Sequence, residues 1–214
     1  MRIPLSKRLR KRVHIELAML QDEVIEIFYS LCGASEPVLH GGTAIWRCYD
    51  GARFSEYLDF YGDVPDGFEL ALVRTLGSRG LALAKYKAAP NVIFAKISNG
   101  TVTVKLEITR RKPPEKILKR YEKTDGGSLD IYTLSPETLI EEKMAAYRGR
   151  RFIRDIYDIY HLSNHTERRD IKGLRGFLAG IEAPVDERNL RALVYTGIAP
   201  SFNEMVSALR RRFG

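Results

Sequence analysis

The sequence predicts an α+β protein, with strands and helices mixed over residues 1–134 and helices alone over 135–214. Three observations carry this. Two alternating apolar runs flank Asn99-Gly100, a third alternates over 57–61, and past Ser135 the periodic segments have helical spacing. Residues 8–31 keep an apolar stripe through Val13, Leu17, Leu20, Val24, Ile27 and Phe28, so they form a long amphipathic helix that Gly33 ends. Val38-Leu39-His40 is a short strand running through Gly41-Gly42 into a second helix. Over 57–61, Tyr57, Asp59 and Tyr61 point one way and Leu58 and Phe60 the other. A helix is expected over 66–76 and a strand over 92–98. Asn99-Gly100 then predicts a type I′ hairpin turn. In the returning strand Val102, Val104, Leu106 and Ile108 face inward, while Lys105 and Glu107 share the polar face. Pro113-Pro114 interrupts the pattern, and a basic helix is expected through Lys116, Lys119, Arg120 and Lys123 before Gly126-Gly127. Ser135-Pro136-Glu137 starts the helical part with a capping hydroxyl, a first-turn proline and an acid at the positive dipole end.

At 214 residues the chain is long enough to bury a sizeable core without disulfides or metals as staples. Cys32 and Cys48 are too few for a disulfide framework and lack zinc-site spacing. The N-terminus is charged but has no apolar block or cleavage site, and no run is long enough to span a membrane, so the expected location is the cytoplasm, without membrane contact. A net charge of +8 favours a polyanionic partner. Basic clusters at 7–12, 110–123 and 148–154 are the expected surface for an RNA backbone. Gln21 is the only glutamine beside 29% charged residues, a composition that points to a thermophilic source.

Four constellations could carry chemistry. Gly41-Gly42-Thr43 sits where a strand meets a helix N-terminus, which serves either a tight packing turn or close approach of backbone amides to a phosphate. In Arg53-Phe54-Ser55-Glu56-Tyr57-Leu58-Asp59-Phe60, Asp59 is either a solvated strand residue or a ligand for a hard cation. An acid-x-acid strand would supply two carboxylates, but the partner position holds Tyr57, a poor magnesium ligand at neutral pH. Glu107 either joins Asp59 in a carboxylate cluster or pairs with Lys105 or Lys96. In the helical part Lys143 falls inside the stripe of Leu139, Ile140, Met144 and Tyr147, where it snorkels to water or aims a charge at an anion. Asp155 lies at the edge of the next apolar stripe, and Asp158 falls on its polar side, in i,i+4 reach of Arg154.

Taken together, His40-Gly41-Gly42-Thr43-Ala44, Arg53-Phe54-Ser55-Glu56-x-Leu58-Asp59-Phe60, Lys105-Leu106-Glu107-Ile108, Glu142-Lys143 and Arg154-Asp155-Ile156-Tyr157-Asp158 resemble, in this order, the AbiEii/AbiGii-type nucleotidyltransferase toxin family of the polymerase-β-like superfamily. The resemblance implies a nucleotidyltransferase-like mixed sheet with flanking helices and a helical C-terminal part. It implies NTP as substrate and Mg2+ as cofactor, transfer of a nucleotidyl group to an RNA end, tRNA in particular, and a cognate antitoxin. It makes Asp59 and Glu107 the metal ligands, and Gly41, Gly42, Thr43, Arg53, Ser55 and Lys143 the nucleotide-binding residues. Asp59, Glu107, Lys143, Asp155 and Asp158 become the catalytic set. The family pattern reads Ser-Glu-Asp-Leu-Asp, and Tyr57 stands where its first aspartate belongs. That departure leaves a second reading open, a catalytically weak or inactive relative that binds RNA or a protein.

Overall fold

In the computed structural model, which describes residues 3–168 and 170–214, one mixed sheet collects seven strands: β1 (Val38–His40), β2 (Tyr57–Tyr61), β3 (Ala82–Ala89), β4 (Val92–Ser98), β5 (Thr103–Thr109), β6 (Ile117–Glu122) and β7 (Ser128–Thr133). Their order is β3-β4-β5-β2-β1-β7-β6. β2 runs parallel to β5 and β1 parallel to β7, and the other neighbours are antiparallel. The described helices are α1 (Leu5–Arg8), α2 (Arg12–Cys32), α3 (Gly41–Cys48), α4 (Phe68–Ser78), α5 (Pro136–Arg150), α6 (Ile153–Leu162), α7 (Leu174–Ala179), α8 (Leu190–Leu193) and α9 (Phe202–Phe213), besides short 3-10 turns. None is long and apolar enough to cross a membrane.

The two sheet faces are dressed differently. Leu39, Leu58, Phe60, Leu106 and Ile108 point into a core closed by Leu20, Val24 and Phe28 of α2 and by Phe68, Leu72 and Leu76 of α4. Val38 and Tyr61, on the opposite face, join Ile45 and Tyr49 in a second core with Leu139, Ile140, Ile156, Met205 and Leu209. Residues 135–214 are therefore packed onto the β1–β2 region, and a backbone bridge from Arg53 to Val194 ties the two parts again. Ser135 caps α5 through the Thr138 amide, as its sequence requires.

Several expectations need correction. The long stripe begins at Leu17, since Val13 is exposed. The basic run expected as a helix is strand β6, whose Leu118 and Arg120 point out while Tyr121 is buried. Residues 82–89, which carried no sequence signal, form the edge strand β3. The Asn99-Gly100 hairpin is present, but pairing stops at Ser98 and Thr103, and of the two turn residues only Gly100 has positive φ. The turn is thus not type I′. Instead the Asn99 side chain accepts from the amides of Thr101 and Val102.

α3 is fixed from behind by a buried charge. The Arg47 guanidinium pairs with Asp22 of α2 and lies 4.7 Å from the ring centroids of both Trp46 and Tyr121. Asp22 also accepts from the Thr124 amide and hydroxyl, each at 2.7 Å. This network sets the direction in which the start of α3 faces. Asp22→Ala leaves a buried guanidinium without its counter-charge and should cost about 3–5 kcal/mol in urea unfolding. A loss below about 1 kcal/mol, the range of an exposed pair, would show that α3 is held by apolar packing alone.

Candidate functional site

A cleft of about 520 Å³ opens where β1, β2, the start of α3 and the α5–α6 region meet. Its lining includes His40, Gly41, Gly42, Arg53, Ser55, Tyr57, Asp59, Tyr61, Arg111, Glu142, Lys143, Arg150 and Arg154. The glycine pair is demanded by close approach. Gly41 has φ +71°, and a Cβ there would fall 2.7 Å from Asp59 Oδ2. One on Gly42 would meet Ser55 Oγ at 2.6 Å and Arg53 Nη2 at 2.7 Å. Both glycines let the first turn of α3 sit directly against the polar residues of β2 and its preceding loop.

Behind the cleft wall two buried carboxylates hold three cations. Asp158 receives Arg53 Nε and Nη2, both at 2.5 Å, and lies 2.8 Å from Lys143 Nζ. Asp155 receives Arg150 Nε and Nη2 at 2.8 and 2.7 Å and lies 3.7 Å from Lys143 Nζ. Burial by itself would raise the Asp158 carboxyl, but Arg53 and Lys143 outweigh it and bring the group below its ordinary value. The expected surface pair of Asp158 with Arg154 is not what the structure contains: Asp158 is fully buried and its partners come from other elements. Asp155 and Asp158 do not line the cleft; they position Arg53, Lys143 and Arg150, which do. Lys143 does not snorkel, being held on the buried face by both acids.

On the strand side, register places His40 beside Asp59 and Asp59 beside Glu107. Asp59 is half-buried, and desolvation raises its carboxyl above the ordinary value despite the opposing charges of His40 and Lys143. Glu107 is exposed and stands just outside the cleft lining. It forms no ion pair with Lys96 or Lys105 among the described residues. The Tyr57 hydroxyl accepts from Lys105 Nζ at 3.0 Å, and that ammonium lies 4.4 Å from the Tyr57 ring centroid. Among the described residues no three acids, histidines or cysteines gather as a metal cluster. Two neighbouring carboxylates still suit an ion such as Mg2+ that takes its remaining ligands from water and substrate phosphates.

Thr43 is brought to the cleft's edge but not into it, because its buried hydroxyl donates to the Tyr57 carbonyl at 2.5 Å. His40 and Glu142 stand in the motifs of the sequence without an assigned role there, and Tyr61 lies outside them. His40 stacks on Tyr61 with ring centroids 3.7 Å apart, and its Nδ1 lies 3.3 Å from Glu142. The Tyr61 hydroxyl donates to Glu142 at 2.6 Å and accepts from Arg111 at 2.6 Å. Burial would raise the Glu142 carboxyl, yet His40 and Tyr61 bring it below its ordinary value. The available signals are the place of His40 beside Gly41-Gly42 and that of Glu142 beside Lys143.

The model of a family described as "Nucleotidyl transferase AbiEii toxin, Type IV TA system" matches residues 33–212. Among solved structures the chain is similar to JHP933 from Helicobacter pylori, at 20% identity over 92% of this chain and 94% of that one, with a TM-score of 0.57. It is also similar to a second solved structure from H. pylori, at 21% identity over 92% and 96% of the two chains, with a TM-score of 0.60. No curated protein matches. At these identities the two solved structures establish the fold.

The opposite shifts of the two aspartates give opposite stability effects. Asp158, with its folded pKa depressed, contributes stability above the ordinary carboxylate pKa that is lost as pH falls through the lower folded value. Asp59, with its folded pKa raised, contributes only at low pH and loses that contribution as pH rises through the folded value. At neutral pH without divalent ions, Asp158→Asn should lower stability by about 3 kcal/mol or more, while Asp59→Asn should raise it. Both differences should shrink in urea unfolding toward acid pH, and a destabilised Asp59→Asn at pH 7 would contradict the assignment.

Proposed function

The chain belongs to the AbiEii family of nucleotidyltransferase toxins, and on that premise we propose that its cleft binds a nucleoside triphosphate with Mg2+ and transfers the nucleotidyl group to the end of an RNA, with tRNA as the acceptor. The observation that carries this is the trio Arg53, Lys143 and Arg150, held at one wall of the cleft by buried Asp155 and Asp158. Three cations against two acids leave a net positive wall where water is partly excluded, and there a phosphate gains more than it would in bulk solvent. The start of α3, brought close by Gly41 and Gly42, adds backbone amides and the positive end of a helix dipole.

In the proposed reaction the acceptor hydroxyl oxygen attacks the α-phosphorus, the bond to the bridging oxygen breaks, and pyrophosphate leaves with its charge neutralised by the cationic wall. The proton of the hydroxyl passes to the Asp59 carboxylate, which lines the cleft beside the glycine turn. Asp59 and Glu107 are the residues that would hold Mg2+, and the ion would supply charge neutralisation at the reacting phosphate. His40 and Tyr61 keep Glu142 beside this strand face, fixing the edge of α5 that carries Lys143. The toxin family also supports a cognate antitoxin as a protein partner.

One observation favours a second reading. Tyr57 and Lys105 occupy the strand position next to Asp59 where another carboxylate would complete the site, so a chain that binds without catalysing is the competing proposal. Incubation with labelled NTPs, Mg2+ and bulk tRNA separates the two. We expect slow label transfer by the wild type, faster transfer by Tyr57→Asp, and none by Asp59→Asn. Nucleotide binding with no transfer by either the wild type or Tyr57→Asp would establish the second reading. Robust wild-type transfer lost on Tyr57→Asp would mean that Tyr57 belongs to a working site of another design.

A further inference from the structure

The cleft-side face of the sheet continues past the cleft, across β5, β4 and β3, and no helix among the described residues packs over it. The helices that pack against β5 and β3 are α2 and α4, and both lie on the opposite, apolar face. The uncovered half carries an unusual order of side chains. Register aligns Lys85, Lys96, Lys105 and Tyr57 in one row across β3, β4, β5 and β2. The adjacent row is Lys87, Phe94, Glu107 and Asp59, and it ends in the cleft.

Three lysines directly opposite one another on neighbouring strands repel, so this row works against the stability of the sheet that carries it. Among the described residues no acid forms an ion pair with Lys85, Lys87, Lys96 or Lys105. The basic clusters elsewhere are partly neutralised, since Arg8 pairs with Glu122, Lys116 with Glu36, Lys123 with Glu26 and Arg151 with Glu182. On the open sheet face none of the four lysines is neutralised in this way. Two rings lie among these lysines, half-buried Phe94 and Tyr57, with Lys85 Nζ 6.0 Å from the first centroid and Lys105 Nζ 4.4 Å from the second.

We propose that this open face is a binding track for single-stranded RNA, which lies across β3–β5 with its phosphates on the lysine row and its bases against Phe94 and Tyr57, and so delivers its end to Asp59. Strands spaced about 4.8 Å apart put the row from Lys85 to Tyr57 across roughly 14 Å, the scale of a short unpaired tail. Sheet faces with exposed rings and surrounding cations suit unpaired bases, because every base offers a stacking surface and a duplex hides it. The continuity of the second row into the cleft gives the track its direction. The proposal rests on the reading of the cleft as a transferase site, but binding to the track does not require nucleotide.

The test is fluorescence anisotropy of the full chain with a labelled unstructured RNA oligonucleotide and, in parallel, with a duplex of the same length, without NTP. ATP binding is measured separately on the same proteins. The wild type should bind the single strand more tightly than the duplex, and affinity should fall steeply with salt. The double variant Lys85→Glu/Lys96→Glu and the ring-removing Phe94→Leu should each weaken single-strand binding about tenfold or more, with ATP affinity unchanged, and the double variant, which relieves the repulsion between Lys96 and Lys105, should melt no lower than the wild type. Lys172→Glu, at an exposed position on the other part of the chain, should leave RNA binding as it was. Single-strand binding that is absent, equal to duplex binding, or unaffected by both track variants overturns the proposal. Intact ATP binding in those cases leaves the transferase reading standing, whereas loss of ATP binding by the wild type would fail that reading on its own.

Discussion

The pairing of buried Asp155 and Asp158 with Arg53, Lys143 and Arg150 is the constraint on which the site depends. It joins the loop before β2 to α5 and α6, and so holds the strand-rich and helical parts in one orientation around the cleft. Buried ion pairs are poor sources of net stability, since desolvating the charges offsets most of their attraction. Their presence here is better explained by what they hold in place. Two carboxylates set behind the cleft lining keep three cations pre-aimed into it, so the desolvation of these pairs occurs on folding.

The sheet supplies the second half of the arrangement. Parallel pairing of β2 with β5 and antiparallel pairing of β1 with β2 put His40, Asp59 and Glu107 side by side. A shift of one residue in either register would turn these side chains into the apolar core and bring Leu58 and Leu106 out. The core on the far face therefore enforces the polar order on the near one. Gly41 and Gly42 complete it, because any side chain there would displace Asp59, Ser55 or Arg53. The same register lines up Lys85, Lys96 and Lys105, so the row that ends at Asp59 and the lysine row are products of one set of strand pairings.

Much of this was legible in the sequence where the signal was local. Alternation over 57–61 and around Asn99-Gly100 identified β2, β4 and β5, and the Ser135 cap marked α5. β3 was silent because Ala and Lys have low strand propensity and its side chains are mostly exposed at an edge. β6 imitated a basic helix because only Tyr121 carries its burial. At the site, Lys143 and Asp155 stood out because a charge on an apolar stripe is anomalous within one helix. Asp158 did not, since a helical wheel shows Arg154 as its neighbour and cannot show Arg53, 105 residues away in the chain. The Tyr61–Glu142–His40 contacts were hidden for the same reason: they exist only once β1, β2 and α5 have met.

Titration calorimetry of ATP with Mg2+ into the wild type and Lys143→Met tests most directly whether the cation wall is a triphosphate site. Removal of one charge-assisted contact should weaken ATP about tenfold or more. Asp158 and Asp155 keep Arg53 and Arg150 as partners in the variant, so a folded protein is expected, and its melting curve confirms that the comparison is fair. Equal ATP affinity of the two folded proteins, or no ATP binding by the wild type, would contradict the account.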